Sequence, residues 1–251
     1  MTEEQVLTGR LKDLAKRAYD KNVYTYSPFL SLSEQALFDT IRGDLSFIYY
    51  SLDGGYEMAE RKVAGFGSEE MFGYRGAFPI SVIKVSPVAE KFGEELNHRD
   101  YLGSLMNLGI RRDTLGDILI KGKTAFIFCL EEVSEFIIQN LIRIRHTQVS
   151  GERVDAVEFE YRPELACESY PVSSLRFDVI IAAACKLSRK EVLGFFERNE
   201  VQRNGRVTTE NAVSLNAGDV FSVRGKGKFI LDSIGGTTKK GKIYINIKRY
   251  L

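Results

Sequence analysis

The chain has 251 residues, of which 44% are hydrophobic and 27% charged, a composition typical of a soluble globular protein with room for two or three domains. No apolar run approaches the roughly 18–20 residues that cross a bilayer, and the start MTEEQVLTGRLKD lacks the apolar segment of a signal peptide. The three cysteines are widely spaced without a CxxC pair, and there are only two histidines. We therefore expect a cytoplasmic protein with no membrane partner, no metal and no cofactor.

The net charge of +1 conceals an uneven distribution along the chain. From Val172 to the end, 15 Lys and Arg residues stand against 7 Asp and Glu residues, whereas the preceding residues contain 20 basic and 27 acidic side chains. A basic module on an acidic body indicates a polyanionic partner, with nucleic acid as the first candidate and a membrane surface as the weaker one. The acidic N-terminal region is in turn a candidate docking region for a protein partner.

The first elements predict an N-terminal α/β lobe over residues 1–76. Apolar residues at helical spacing predict a helix over 3–21, and Ser33 followed by EQALFDTI predicts a second helix. LSFIYYSL predicts a strand that ends at the DGG turn, Asp53 to Gly55. The segment MFGYRGAFPIS is rich in glycine and aromatic residues and marks a change of lobe.

From Ile80 onward the predicted order is β-α-β-β-α-β. ISVIKV, GDILI and AFIFCL predict strands, and RVDAVEFEY predicts the last strand. VAEKFGEELNHRDYLGSLMNLG predicts a first helix that ends at Gly109, and EEVSEFIIQNLIRIR predicts a second, amphipathic helix. This is the order of the ferredoxin-like split βαβ unit, which the commonest RNA-recognition domain also uses. RPELACESYPVSS contains two prolines and predicts a linker, so the ferredoxin-like lobe and its linker span residues 77–170.

Residues 171–251 predict two helices packed on a small antiparallel sheet, which makes the whole chain α+β. Ser173 or Ser174 is the predicted cap of the first helix. Ser188 to Glu191 is a capping box, in which the serine oxygen and the glutamate each accept from a backbone amide at the helix start. Asn204-Gly205 lies between two short extended runs and predicts a type I′ turn.

The basic residues of this module are candidate RNA contacts, because arginines on helix starts and turn tips can hold a phosphate with two hydrogen bonds. The alternative is that these are solubilising surface charges. The predicted contact residues are Arg176, Ser188, Arg189, Lys190, Arg198, Arg203, Asn204, Gly205, Arg206, Arg224, Lys226 and Lys228.

A secondary RNA contact is predicted in the central lobe. Phe126 and Phe128 share one face of a strand, where they either stack RNA bases or belong to the core. Arg111 and Arg112 either contact phosphate or lie in a solvated loop. No catalytic residue is predicted, because HRD at His98 has no accompanying kinase motif and Gly65-Phe66-Gly67 lacks the third glycine of a dinucleotide fingerprint.

The C-terminal segment from LRFDVIIAAACK through LSRKEVLGFFERNEVQRNGRV to AGDVFSVRGKGKF closely resembles the S-four RNA-binding domain (alpha-L fold), named after a small-subunit ribosomal protein. The resemblance implies recognition of structured RNA, generally ribosomal RNA or tRNA, by the helix-plus-hairpin surface. It departs from the family at Phe177-Asp178, where an Arg-Leu-Asp start is common, and at Val179, a frequently basic position.

The rest of the chain, including HRDYLGSLMNLGIRRDTLGDI, FPISVIKV and GGTTKKGKI, resembles the YlmH-type bacterial RNA-binding proteins. That resemblance implies a cytoplasmic, non-enzymatic protein with an RNA-binding lobe before its S-four domain. It further implies association with the large ribosomal subunit and rescue of stalled peptidyl-tRNA. Some members of the family are linked to cell division, and photosystem-associated relatives also exist. Two alternatives stay open: an RNA-modifying enzyme that carries an S-four domain, and an interaction scaffold for division proteins.

Overall fold

A computed structural model describes residues 2–154, 165–238 and 241–250. It divides the chain into two units, Met1–Tyr161 and Arg162–Leu251. The predicted boundary between residues 76 and 77 falls inside the first unit, between two sheets that share a hydrophobic core. The two units are described separately below.

The first unit begins with a helical layer on a three-stranded sheet. A capping box at Thr2 starts the first helix: its hydroxyl accepts from the Gln5 N–H, and the Gln5 side chain accepts from the Thr2 N–H. The sheet is antiparallel with strand order β1-β3-β2. The elements are α1 (Glu3–Lys21), β1 (Thr25–Leu30), α2 (Leu32–Thr40), a 3₁₀ turn (Arg42–Leu45), β2 (Tyr50–Asp53), β3 (Lys62–Phe66) and α3 (Glu69–Phe72).

A five-stranded antiparallel sheet follows, with strand order β5-β6-β4-β8-β7. Its helices and longer strands follow the predicted β-α-β-β-α-β order. The elements are β4 (Ile80–Pro87), a 3₁₀ turn (Glu90–Phe92), α4 (His98–Asn107), a 3₁₀ turn (Arg112–Thr114), β5 (Leu115–Lys121), β6 (Thr124–Leu130), α5 (Glu131–Asn140), β7 (Arg143–Ile144) and β8 (Thr147–Val154).

Three boundaries of this lobe differ from the sequence prediction. The first helix begins at His98 and not near Val88, and a 3₁₀ turn lies in the segment before it. The second helix ends at Asn140 and not at Arg145, because Arg145 adopts a positive φ of 51° in the turn of the β7–β8 hairpin. The last described strand is Thr147–Val154, earlier than the predicted RVDAVEFEY. Most of that predicted strand, residues 155–161, lies outside the described residues.

The two sheets of the first unit pack face to face, with helices on the outer side of each. Helices α1 and α2 share a core with one face of the first sheet, and α4 and α5 share a core with the far face of the second. Between the sheets, Phe29 and Val63 pack with Val82 and Phe128. Apolar side chains therefore lie on both faces of both sheets, in a layered α+β architecture.

Half-buried polar groups join the same two sheets. The Arg61 guanidinium donates from Nε to the Leu115 carbonyl at 2.9 Å and from Nη2 to the Phe29 carbonyl at 3.0 Å. The Asp117 carboxylate accepts from the Tyr56 hydroxyl at 2.8 Å and from the Glu60 N–H at 2.7 Å. Each partner lies far away along the chain, so these bonds stabilise the packing of one sheet on the other.

The second unit is a six-stranded antiparallel sheet with two helices. Its strand order is β11-β10-β12-β13-β14-β9. The elements are β9 (Leu165–Val172), α6 (Phe177–Cys185), α7 (Arg189–Glu197), β10 (Val201–Arg203), β11 (Arg206–Val207), β12 (Val220–Val223), β13 (Gly227–Thr237) and β14 (Ile243–Tyr250). No helix among the described residues is both long enough and apolar enough to cross a membrane.

The predicted linker is wrong over most of its described part. Leu165–Val172 forms an edge strand whose eight residues pair in register with β14, from Val172 opposite Ile243 to Leu165 opposite Tyr250. Pro171 is tolerated there because an edge strand needs hydrogen bonds on one side only. The sheet therefore begins well before the predicted module boundary at residue 171.

The core of the second unit fixes both helices on the sheet. The Phe177 ring of α6 contacts Phe196 of α7 edge-on at 5.3 Å and Phe221 of β12 at 5.5 Å. Ile245 and Ile247 are buried, as their alternation in the sequence predicts. These ring contacts hold the start of α6 and the end of α7 on the sheet.

Candidate nucleic-acid interface

A buried carboxylate joins the starts of the two helices in the second unit. The Asp178 side chain is 0% exposed and accepts two hydrogen bonds from Arg176, at 3.0 Å from Nε and 2.9 Å from Nη2. The Nη2 of Arg189, on the next helix, lies 3.5 Å from the same carboxylate. The Arg176 side chain is 38% exposed and that of Arg189 is 69% exposed. Both guanidinium groups are thus anchored on one side and reach solvent on the other.

This cluster is charged at neutral pH. The hydrogen bonds from Arg176 lower the pKa of Asp178 despite the opposing effect of burial, and the charges of Arg176 and Arg189 add to this lowering. The same hydrogen bonds raise the pKa of Arg176. The carboxylate therefore remains ionised and continues to hold both arginines.

The start of α7 confirms the predicted capping box. The Glu191 N–H donates to Ser188 Oγ at 3.3 Å, and the Ser188 N–H donates to Glu191 Oε2 at 2.8 Å. The Ser188 hydroxyl, predicted as an RNA contact, also donates to Glu191 Oε2 at 2.6 Å. The cap thus uses its hydrogen bonds within the protein and fixes the helix turn that carries Arg189 and the exposed Lys190.

The start of α6 differs from its prediction. The residue before its first turn is Arg176, with no side-chain cap, and neither Ser173 nor Ser174 serves in that role. Asp178 instead accepts from the Val179 N–H at 3.0 Å.

A second carboxylate, that of Glu200, pairs with two arginines at the other end of α7. Arg198 donates from Nε to Glu200 Oε2 at 2.8 Å, and its guanidinium lies 4.9 Å from the centre of the Phe195 ring. Arg224, from the β12–β13 turn, lies 3.9 Å from Glu200 Oε1. The arginines held by these two carboxylates lie near the two ends of this nine-residue helix. Together with Lys190 we call them the α7 surface, which consists of Arg176, Arg189, Lys190, Arg198 and Arg224.

The tip of the β10–β11 hairpin has the predicted turn, with positive φ at Asn204 (49°) and Gly205 (76°). Its neighbours do not all face outward. Asp219 accepts from Arg203 Nη2 at 2.7 Å and from Asn204 Nδ2 at 2.8 Å, and Asn204 Oδ1 accepts from the Val220 N–H at 2.9 Å. The structure therefore uses Arg203 and Asn204 to brace the turn and leaves Arg206 exposed on it.

Burial and hydrogen bonding act in opposite directions on Asp219. Burial raises its pKa, but hydrogen bonds from the Asn216 N–H, Asn204 and Arg203 outweigh that effect, so the pKa of Asp219 is lowered. The brace of the hairpin is thus ionised at neutral pH.

Two further predicted contacts lie in and after the β12–β13 turn. The Lys228 ammonium is 5.2 Å from the centre of the Tyr250 ring. Lys226 lines a cavity of about 170 Å³ together with Lys186 and Arg249. The sequence prediction missed these last two cations, because Lys186 ends a helix and Arg249 lies in a half-buried strand, and only the fold brings them together.

Stacking of RNA on Phe128 is excluded by its burial. The side chain is 0% exposed, and its ring packs 4.9 Å from that of Tyr56. The two phenylalanines do face away from the helices of their lobe, as the prediction required, but the first sheet covers that face. Phe126 packs at the edge of the same core and is half-buried.

The predicted phosphate contacts before β5 also have partners inside the protein. Arg112 Nη1 donates to the Leu115 carbonyl at 2.8 Å and the Gly116 carbonyl at 3.3 Å. Burial and, to a smaller extent, the charge of Arg61 together lower the pKa of Arg112 to about 10. Arg111 remains exposed and pairs with Asp113 at 3.0 Å. Arg112 therefore has a structural position, and Arg111 alone reaches solvent.

Comparisons with known proteins agree with the resemblance to YlmH-type proteins. Residues 75–158 match the family described as "Putative RNA-binding domain in YlmH". The chain is 29% identical over 228 residues to "Ribosome-associated protein quality control protein P2" of Bacillus subtilis (strain 168), covering 88% of this chain and 85% of that protein. The predicted resemblance to YlmH-type proteins is confirmed.

The fold has a solved counterpart as well. "Cell division protein ylmH from Streptococcus pneumoniae" superposes with a TM-score of 0.53 at 17% sequence identity, covering 63% of this chain and 94% of that one. This likeness confirms the α+β fold class.

Proposed function

We propose that this chain, a YlmH-type protein by its confirmed resemblance, binds structured ribosomal RNA or tRNA through the α7 surface without catalysing a reaction. The observation that carries the proposal is the Asp178 cluster. A fully buried carboxylate holds arginines from two helices while leaving both guanidinium groups open to solvent.

Such an arrangement suits a phosphate backbone. An arginine that is already held in position loses less side-chain freedom on binding, and its remaining N–H groups can form two parallel hydrogen bonds to a phosphate. Glu200 orients Arg198 and Arg224 in the same way at the far end of α7. A nine-residue helix is about 13 Å long, so this surface can span several phosphates of a folded RNA.

The name of the Bacillus relative supports a place for this activity on the ribosome. We propose that the chain acts on the large ribosomal subunit in quality control or in the rescue of stalled peptidyl-tRNA. The acidic N-terminal region is proposed as a docking region for a protein partner, since its side chains carry the opposite charge to the C-terminal module.

The experiment is a binding comparison between two matched double variants of the full chain. Arg189→Gln/Lys190→Gln removes two adjacent exposed cations from α7, and Lys16→Gln/Arg17→Gln removes the same two residue types from α1, where both are also exposed. Binding is measured by fluorescence anisotropy with labelled tRNA and by co-sedimentation with large ribosomal subunits.

The α7 variant should bind tRNA about 10- to 100-fold more weakly, because each charge-assisted hydrogen bond contributes about 1.5–3 kcal/mol before partial compensation. The α1 variant should stay within about twofold of the parent. Equal affinity of both variants for tRNA and for ribosomal subunits would contradict the proposal that the α7 surface binds RNA.

A further inference from the structure

A second candidate site lies in the first unit, and none of the residues predicted as RNA contacts lines it. It is a cavity of about 570 Å³ over the three-stranded sheet, and we call it the tyrosine cavity. That volume lies within the range of pockets that hold small ligands. The lining that matters here is Tyr24, Tyr26, Tyr49, Gly65, Arg75 and Phe78.

The floor of the tyrosine cavity is a row of residues that runs across all three strands. Gly65 of β3 pairs with Tyr26 of β1 on one side and with Ser51 of β2 on the other. A Cβ atom at Gly65 would lie 2.8 Å from the Phe78 ring and 3.1 Å from the Tyr26 ring. Both rings therefore pack directly against the Gly65 backbone, at a distance that leaves no room for a side chain there.

The aromatic wall is fixed by contacts between its rings. Tyr24 lies parallel to Tyr26, with ring centres 6.3 Å apart and an angle of 7° between the planes. Its hydroxyl donates to the Tyr74 carbonyl at 3.0 Å, and its ring meets that of Tyr74 edge-on at 5.2 Å. A Cβ at Gly76 would lie 2.5 Å from the Tyr24 ring. The wall is thus preformed and does not need a ligand to order it.

Tyr49 distinguishes this cavity from an ordinary core. Its side chain is 59% exposed although it lines the cavity, and Tyr74 is exposed beside the wall. Exposed aromatic rings grouped at a concave surface are typical of binding sites, whereas isolated exposed rings need no explanation.

The polar groups of the tyrosine cavity match the parts of a nucleotide. Aromatic rings stack on the flat face of an unpaired base, and the exposed Arg75 provides a cation for its phosphate. Glu69 and Glu70 also line the cavity, and carboxylates accept hydrogen bonds from base N–H groups. A duplex would not expose the face of a base, so the occupant must be single-stranded.

We infer that the tyrosine cavity binds one unpaired RNA base, stacked on the tyrosines with its phosphate toward Arg75. The inference rests on the proposed RNA-binding function, and it adds a second contact that recognises a single-stranded nucleotide. The cavity residues before Arg75 lie outside the range that matches the RNA-binding family, residues 75–158.

The test is photo-crosslinking of the full chain to a six-nucleotide single-stranded RNA that carries one 5-bromouridine, followed by peptide mapping. Tyr49→Ala is compared with Tyr19→Ala, because Tyr19 is similarly exposed at 52% and does not line the cavity. Arg75→Gln and the α7 variant Arg189→Gln/Lys190→Gln complete the set. Thermal unfolding of each variant shows that it is folded.

The parent protein should give adducts on peptides that contain Tyr26, Tyr49 or Tyr74. Their yield should fall at least fivefold in Tyr49→Ala and at least twofold in Arg75→Gln, and it should be unchanged in Tyr19→Ala. Adducts confined to residues 165–250, or an unchanged yield in a folded Tyr49→Ala variant, would overturn the inference.

The two proposals can fail separately. If the α7 variant loses tRNA binding but Tyr49→Ala keeps its adducts, the tyrosine cavity is wrong and the proposed function stands. If Tyr49→Ala loses its adducts while the α7 variant binds tRNA normally, the cavity stands and the α7 surface is wrong.

Discussion

Arginine has opposite roles in the two units of this protein. In the first unit, Arg61 and Arg112 donate to backbone carbonyls between the two sheets, and burial lowers the pKa of both guanidinium groups. In the second unit, Arg176 and Arg189 share a buried carboxylate, and the pKa of Arg176 is raised. The comparison shows that the availability of an arginine depends on its partner and on the burial of its own guanidinium group, and not on the residue type.

The same contrast applies to aromatic residues within the first unit. Phe128 stands on a strand where an RNA-recognition domain would stack bases, yet the neighbouring sheet covers it completely. Tyr49 lies directly before β2 of the first sheet and is largely exposed. The predictions below test these contrasts, beginning with the largest expected effect.

Phe128→Ala should lower the free energy of unfolding by about 3–5 kcal/mol, because it leaves a cavity between the sheets. Chemical denaturation measures this loss. The milder Phe128→Leu variant, which should remain folded, is expected to bind tRNA as the parent does. A small loss of stability combined with weaker RNA binding would return Phe128 to the list of RNA contacts.

Arg61→Met should cost about 2–4 kcal/mol of stability, since it removes a donor to the carbonyl of the buried Phe29 and one of the two arginine donors to the Leu115 carbonyl. Arg10→Met, on the exposed side of α1, is the matched control and should change stability by less than about 0.5 kcal/mol. Urea unfolding of both variants checks this, and equal midpoints would show that Arg61 does not join the sheets.

Asp178→Asn should cost about 1–3 kcal/mol and also weaken tRNA binding, because Arg176 and Arg189 lose the charge that holds them. The control is Asp232→Asn, because Asp232 forms a more exposed ion pair with Lys248. Asp232→Asn should have a smaller effect on stability and none on RNA affinity. Unchanged tRNA affinity of a folded Asp178→Asn variant would contradict the positioning role of the carboxylate.

Acid should destabilise the second unit through its two buried carboxylates. Asp178 and Asp219 both have a lowered pKa in the folded protein, so the stability that they contribute is present above the unfolded value of about 3.9. It is lost as the pH falls below that value and through the folded pKa. Urea midpoints between pH 7 and pH 3 should therefore fall less steeply in Asp219→Asn than in the parent.

Several local signals in the sequence predicted local structure correctly, although the predicted cap at Ser173 or Ser174 is wrong. The capping box at Ser188 and the Asn204-Gly205 turn depend on residues within a few positions of each other, and both are confirmed. The order of the central lobe also followed from periodicity alone. Family resemblance was predicted from motifs and is confirmed by the comparisons.

Contacts between distant segments could not be predicted in this way. The residues around Phe128 in the sequence do not indicate that β1 and β3 cover its face. Likewise, the residues around Arg203 do not indicate that its partner is Asp219, 16 residues later. The sequence predicts a linker over the edge strand Leu165–Val172 because the segment RPELACESYPVSS contains two prolines and shows little periodicity. Its partner strand β14 lies 71 to 85 residues further along the chain. Such features depend on tertiary packing, which a single sequence does not display.

The salt dependence of tRNA affinity tests the central claim most directly, namely that the cations of the α7 surface contact phosphates whereas those of α1 do not. Each contacted phosphate releases counterions on binding, so the logarithm of the association constant falls linearly with the logarithm of the salt concentration. The parent and Lys16→Gln/Arg17→Gln should share one slope, and Arg189→Gln/Lys190→Gln should have a slope shallower by about 2. One common slope for all three proteins would contradict the account.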